Sequence, residues 1–470
     1  MTNPAPHRIA AWTIPLLAAC ASGAAGERET LPEPPPVEAE APPASAPEPT
    51  GEPPAAGVPP ARGVTRELSA RERVAIRRLM RTAERVRGLQ FRTEVPVRVQ
   101  DAEAIMGYVD AQIEADELAE AQDLYTALGL LEAGTDVRGM LLRLMGEQIV
   151  GYYDVEDAQL VVRDDVMRAF AGARTPDVNL AEARVVLVHE LVHALQAQHL
   201  GLPETMERER DTDAENAFRA LVEGDATLAM IGYALERESL PLSQLTSDPA
   251  RVAGLAQLVD GGPMAGSELN RAPAIVRVPL LSAYTDGLTF AANLHGNGGW
   301  GRVDRAHVDP PASTEQVLHP ARFIQRDAPQ HPRLRELTEA LGEGWEVTNE
   351  DTLGELELRV YLGQATGEVV ARQAAEGWDG DRVYALRHAG RHTAIVWLTV
   401  WDSEADAREA ENAARAVAAA DPSAPRGDRA VVRAGSAVLI LRQLEPEEQR
   451  AVAEAFRRWA RAGAASVQAN

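Results

Sequence analysis

The pattern of apolar and polar positions divides the chain into segments of different character. From Ser22 to Arg62 it is rich in Pro, Ala and Glu, as in Leu31-Pro32-Glu33-Pro34-Pro35-Pro36. Such a segment buries too little apolar surface to offset its ordering entropy, so 20–63 is predicted to be a disordered, semi-rigid tether. Order begins near Thr65. Ser69-Ala70-Arg71-Glu72 has the form of a capping box and predicts a helix to about Val86. Thr93–Val99 alternates and reads as a strand, and helices are predicted at Ala102–Ala115, Leu118–Leu131 and Val137–Gln148. Ile149–Asp154 and Gln159–Arg163 flank four residues as a hairpin. Two longer helices follow. One covers Leu180–His199 and stops at Gly201-Leu202-Pro203; the other covers Thr212–Arg237. A mainly helical region continues to about Leu341. From Trp345 the period changes. Short β-rich runs at Leu356–Val360, Arg382–Arg387, Ala394–Trp401, Ala430–Val432 and Ala437–Arg442 alternate with helices Glu404–Ala420 and Pro446–Ala462. The predicted class is α+β: a mainly helical core over 64–343 with a small edge sheet, then a small α+β domain over 344–470. Trp378, Trp397 and Trp401 are expected in the core of that second domain.

Between Val185 and Leu195 the only polar side chains are His189, Glu190 and His193. A helix that is apolar all round is a buried helix, and buried ionisable groups need partners. Two histidines four apart project from one face and can reach one metal ion, while Glu190 sits beside that ion, placed to take a proton from a water. These are the parts of a zinc hydrolase site. The competing arrangement is two core histidines satisfied by carbonyls and a glutamate paired with an arginine. A third ligand is expected from the next helix. Its stretch Ala220–Leu235 carries only two charges, Glu223 and Asp225. Glu223 is favoured as the ligand because an acid in so apolar a run needs a compensating charge. Glu215 lies in a polar segment, where a solvated acid is the simpler reading. Asp225 is open between orienting a ligand histidine and being an acid in a helix turn. His199 reads as a helix-end histidine.

His189-Glu190-Leu191-Val192-His193, followed by Ala220-Leu221-Val222-Glu223-Gly224-Asp225-Ala226, resembles the gluzincin class of zinc metallopeptidases. More narrowly, the chain resembles a poorly characterised group of bacterial envelope metallopeptidases. Segments that fit this group begin at Gly151 (Gly-Tyr-Tyr-Asp), Tyr284 (Tyr-Thr-Asp-Gly-Leu-Thr-Phe), Pro310, Gly377 and Val400, and the resemblance runs from about Thr65 to the C-terminus. It implies a zincin-like core, His189, His193 and Glu223 as Zn2+ ligands, and Glu190 as general base. It also implies hydrolysis of peptide bonds in a protein or peptide substrate, with the hairpin before the metal helix lying along the substrate cleft. Tyr284 and His319, each within such a segment, are the candidates for stabilising the developing oxyanion. The alternative function is a non-catalytic zinc-binding envelope lipoprotein acting in binding or assembly.

The formal net charge of −24 over 470 residues argues against nucleic acid as a partner, because phosphate contacts need clustered cations. All 47 basic residues are arginine, which excludes a lysine Schiff base and a P-loop lysine. The sole cysteine, Cys20, ends the run Leu17-Ala18-Ala19-Cys20 after a short apolar stretch. That stretch is too short to span a bilayer and fits a signal-peptide core. The run resembles the lipoprotein box, so 1–19 is expected to be a lipoprotein signal peptide and Cys20 the lipidated residue. Ala21 fits an outer-membrane destination. The expected location is the bacterial cell envelope, with a membrane anchor through the N-terminal lipid.

Overall fold

The computed structural model describes residues 65–467, less 177, 261–267, 334 and 421–429. The signal-like segment, Cys20 and the tether lie outside the described residues. The architecture is α+β, with two small sheets set among many helices.

A short strand β1 (Thr65–Arg66) leads into α1 (Ala70–Arg87), whose start is the capping box read from the sequence. The Ser69 hydroxyl accepts from Glu72 N–H while the Glu72 carboxylate accepts from Ser69 N–H. Next come β2 (Val97–Gln100), α2 (Ala102–Gln112), α3 (Ala115–Ala127) and α4 (Val137–Gln148), then the hairpin β3 (Gly151–Asp154) and β4 (Gln159–Arg163) and the short α5 (Asp164–Phe170). The sheet order is β1-β2-β4-β3; only β2 and β4 run parallel, and β3 is an edge. Successive side chains face opposite ways. Val99, Leu160 and Val162 pack with α1 and with the helix α6 (Leu180–His199). Tyr152 and Val161 pack with α2 and α4 on the other face.

After the single turn α7 (Leu202–Met206), α8 (Thr212–Arg237) crosses α6. The short helices α9 (Leu242–Thr246), α10 (Pro249–Asp260) and α11 (Glu268–Arg271) lead to the long α12 (Ala274–Gly296). α8 and α12 meet backbone to backbone at a pair of glycines. A Cβ on Gly224 would lie 2.1 Å from the Gly287 carbonyl oxygen, so no other residue fits without moving Glu223 next to it. Four short helices complete this half: α13 (Trp300–Val308), α14 (Thr314–Leu318), α15 (Pro320–Gln325) and α16 (Arg335–Glu339). Among the described residues no helix is long and apolar enough to cross a membrane.

The C-terminal half contains β5 (Trp345–Asp351), α17 (Gly354–Thr366), α18 (Glu368–Ala375), β6 (Trp378–His388), β7 (Ala394–Trp401), α19 (Glu404–Ala420), β8 (Val431–Ala434), β9 (Ala437–Arg442) and α20 (Pro446–Val467). Its sheet is antiparallel throughout, in the order β5-β6-β7-β9-β8. Ile395 and Trp397 face α17 to α19, and Val396 and Leu398 face α20. Trp378, Trp397 and Trp401 are core residues, as expected. One expectation fails here, and one strand was not foreseen. Leu356–Val360 belongs to α17 and is no strand. Its five-residue alternation is too short to distinguish the two periods, and both Asp381 oxygens, reaching from β6, accept the Leu353 and Gly354 N–H groups and fix a helix start. The strand β5 had no apolar alternation to reveal it, because it is a half-exposed edge carrying Glu346, Glu350 and Asp351.

The two halves share one apolar cluster that runs from α2, α4 and α12 to α17, α19 and β7. Buried carboxyls line this seam. Glu357 of α17 accepts from the Tyr125 hydroxyl at 3.0 Å, and Asp351 accepts from the Thr212 N–H and hydroxyl at 2.9 and 2.6 Å, pinning the start of α8. Burial pushes Glu357 up to about 8, Asp351 up to about 7 and Asp381 up to about 6. Each is therefore neutral in the fold over a range where the unfolded chain has lost the proton. The folded state binds more protons there, so stability falls as pH rises. The contribution is full below about 4, the ordinary carboxylate range, and lost as pH passes through the folded values. The midpoint of thermal unfolding of the metal-free protein is expected to drop steadily from pH 5 to pH 8.5. A flat or rising midpoint over that window contradicts the assignment.

Candidate metal centre

α6 starts with the Asn179 side chain accepting from the Ala181 and Glu182 N–H groups, and it ends at Gly201 in the left-handed region, where φ is 69°. From Val185 to Gln196 every residue of α6 is buried. α8 starts with Asp211 capping Ala214 N–H. The crossing of the two helices brings together what the sequence separates by thirty positions. His189 Nε2 lies 3.0 Å from Glu223 Oε2 and 3.0 Å from His193 Nε2, and His193 Nε2 lies 3.5 Å from Glu223 Oε2. Ligand atoms bound about 2.0–2.1 Å from one tetrahedral ion lie roughly 3.3 Å apart, so these three atoms have the spacing of a first shell. Among the described residues they form the one group of three or more His, Cys, Asp or Glu so placed. A fourth protein ligand is absent from it.

The chemistry of the donors agrees with the spacing. Gln196, one turn after His193, is fully buried. Its Oε1 accepts from His193 Nδ1–H at 2.8 Å, and its Nε2 donates to Val222 O and to Asp225 Oδ2, both at 3.0 Å. That fixes the proton on Nδ1 and turns the Nε2 lone pair toward His189 and Glu223. Burial and the nearby His193 hold His189 below the usual histidine range, although Glu223 opposes this. Burial alone would lower His193 too, but the Glu223 carboxylate outweighs it and lifts it to about 9. Burial would raise Glu223, but His193 and His189 hold it well below the usual carboxylate range. In each case the pocket places negative charge against imidazole nitrogens, as a cation site does.

Glu190 is fully buried, and its Oε2 accepts the Tyr153 N–H of the edge strand β3 at 3.0 Å. Its Oε1 has no hydrogen-bond partner among the described residues. Burial pushes its carboxyl up to about 8. A dication beside it would favour the carboxylate and reverse that shift. Glu190, His193 and Glu223 open on a cleft of about 510 Å3. Its walls are β3, α3, α7, α8 and α12, and α17 contributes Glu357. The edge strand thus runs along the cleft.

The other sequence candidates fall into place around this centre. Tyr284 is buried, with its ring centroid 6.3 Å from that of His189. His319 is not brought to the cleft: it is half-buried and paired with Glu355 at 3.0 Å. Glu355 of α17 takes this histidine into an ion pair instead. His199 bonds to the Gln90 carbonyl at the helix end, and Glu215 pairs with Arg210 at 3.4 Å. Asp225 reaches His193 through Gln196, with Arg87 and His307 on its other sides. Sequence reasoning missed Gln196, Arg87, His307 and Arg219. Only Gln196 carried a signal, as a polar residue on the inner face of an apolar helix.

Residues 341–462 are similar to a family described as a domain of unknown function (DUF8575). This stretch takes in the C-terminal sheet and its helices, and every residue of the metal centre lies before it. No curated protein and no solved structure matches the chain.

Proposed function

We propose that this protein is a zinc-dependent metallopeptidase with a zincin-like core, acting on protein or peptide substrates. The observation that carries the reading is the convergence of three lone-pair donors, His189 Nε2, His193 Nε2 and Glu223 Oε2, within 3.0–3.5 Å at a cleft, with the His193 proton held away by Gln196. Two imidazoles and a carboxylate are a donor set that would hold zinc in a hydrolytic site. When bound, zinc supplies Lewis acidity toward a water and toward the scissile carbonyl. Glu190 takes the proton on its free Oε1 and hands it to the leaving amine, while the Tyr153 N–H keeps the carboxyl in position. β3 is an edge strand lining the cleft, and the groups on that edge other than the Tyr153 N–H are available to an extended peptide. By its N-terminal sequence the enzyme works in the bacterial envelope, anchored to the outer membrane by lipid on Cys20. A non-catalytic zinc lipoprotein would need a closed site with a fourth protein ligand, and among the described residues the group has three.

Two outcomes test this. The purified protein is expected to carry one zinc per chain and to cleave casein or a mixed peptide library. A chelator should abolish cleavage, and added zinc should restore it. Full zinc loading with no cleavage of any peptide would favour the non-catalytic alternative, and undiminished cleavage after chelation would remove zinc from the mechanism. Gln196→Ala releases the His193 tautomer, and zinc affinity is expected to fall about 10- to 100-fold, read by competition with a chromophoric chelator. Unchanged affinity would mean that Gln196 is only a packing residue.

A further inference from the structure

One arginine of the cleft makes no hydrogen bond among the described residues. Arg219 stands one turn before Glu223 on α8 and lines the cleft with it. Only 9% of its side chain is exposed. A guanidinium offers five N–H donors, yet among the described residues Arg219 makes no hydrogen bond. Its Nε is buried without a partner, and its nearest carboxylate, Glu215, is 3.9 Å from Nη2, beyond hydrogen-bond reach. Glu215 itself bonds to Arg210. The next acid along the cleft, Glu357, already accepts from Tyr125 and Asn216 and is held mostly neutral by burial. A buried charge with unused donors is costly unless something pairs with it.

We propose that Arg219 binds a carboxylate of the substrate, which selects peptides carrying an anion near the scissile bond. The inference deepens the peptidase reading above and rests on it for the words "substrate" and "scissile". Four residues of helix rise about 6 Å, so Arg219 sits within roughly two extended residues of the metal ligand Glu223. Arginine suits a carboxylate because its planar fork can donate twice. General electrostatics cannot produce such a preference here. The chain carries a formal −24, and Asp154, Glu156, Glu207 and Asp211 also line the cleft, with Arg208 and an Arg210 already paired with Glu215, so the field of the cleft as a whole does not favour an anion. Two sources supply the same group: the α-carboxylate of a free C-terminus, or an acidic side chain.

Binding decides the matter without turnover. The full chain with Glu190→Gln, metal-free, is titrated calorimetrically with four N-acetylated tetrapeptides of Ala and Leu. Two differ only in a C-terminal carboxylate or carboxamide. The other two are amidated and differ only in Glu or Gln at the third position. One carboxylate peptide is expected to bind on the order of 10- to 100-fold tighter than its neutral twin, and the pair that responds names the source. Adding Arg219→Gln should bring that ratio to within about twofold, and Arg219→Lys should keep part of it, in chains whose thermal midpoints confirm folding. Equal binding of both pairs overturns the inference. So does a preference that persists undiminished in the Arg219→Gln chain. Hydrolysis by the parent without a carboxylate preference defeats this inference alone. The preference without hydrolysis defeats the peptidase reading alone.

Discussion

Glu190→Gln is expected to lower peptide hydrolysis by about 10²- to 10⁴-fold while zinc content stays at one per chain. The two halves of that result have separate causes. Glu190 is outside the donor set, whose three atoms come from His189, His193 and Glu223, so the metal has no reason to leave. The amide oxygen of Gln can still accept the Tyr153 N–H, so the side chain keeps its place against β3. What disappears is the basic oxygen, since an amide cannot take the proton. A shorter carboxylate separates geometry from basicity: Glu190→Asp keeps a base but withdraws it from Tyr153, and an intermediate rate is expected. The measurement is kcat/KM on one fluorogenic peptide, with metal analysis on the same samples. A Gln variant that keeps within a few-fold of the parent rate would show that another group carries the proton.

The centre was legible because its constraint is local. Two histidines and a glutamate within five residues of an apolar helix have few alternatives, and Glu223 stood out because it interrupts a second apolar helix. α6 and α8 have the bounds their sequence signals imply, down to the Gly201 stop. What the sequence hid is what other elements supply. Arg87 comes from the end of α1 and His307 from α13, and no pattern along the chain connects either with Asp225. β5 was invisible because an edge strand needs no apolar face, and α17 was misread because its start is fixed by Asp381 from a later strand. His319 shows the opposite error. A histidine in a suggestive segment was offered a catalytic part, and the fold spends it on Glu355.

The largest stability effect is expected at Arg87. This side chain is fully buried, donates to both Asp225 oxygens at 2.6 and 3.1 Å and to Asp304 at 2.6 Å, and lies 4.4 Å from the Trp300 ring. Burial would raise Asp225, but Arg87 and His307 outweigh it and hold the carboxyl well below the usual range, so it is ionised at neutral pH. Arg87→Met leaves that charge buried with only His307 and Gln196 beside it. Breaking a buried pair from one side costs about 3–5 kcal/mol, and urea unfolding of the metal-free protein should register that loss. Removing both charges is a different experiment: Arg87→Met with Asp225→Leu deletes the desolvation cost along with the attraction and should recover most of the stability. It should, however, weaken the metal site. Gln196 would lose the carboxylate that holds its amide, so the double variant is expected to be well folded and weak in zinc. A double variant as unstable as the single one would mean that packing around Trp300, and not charge pairing, sets the role of Arg87. One that also bound zinc like the parent would cut the chain of contacts from Asp225 through Gln196 to His193.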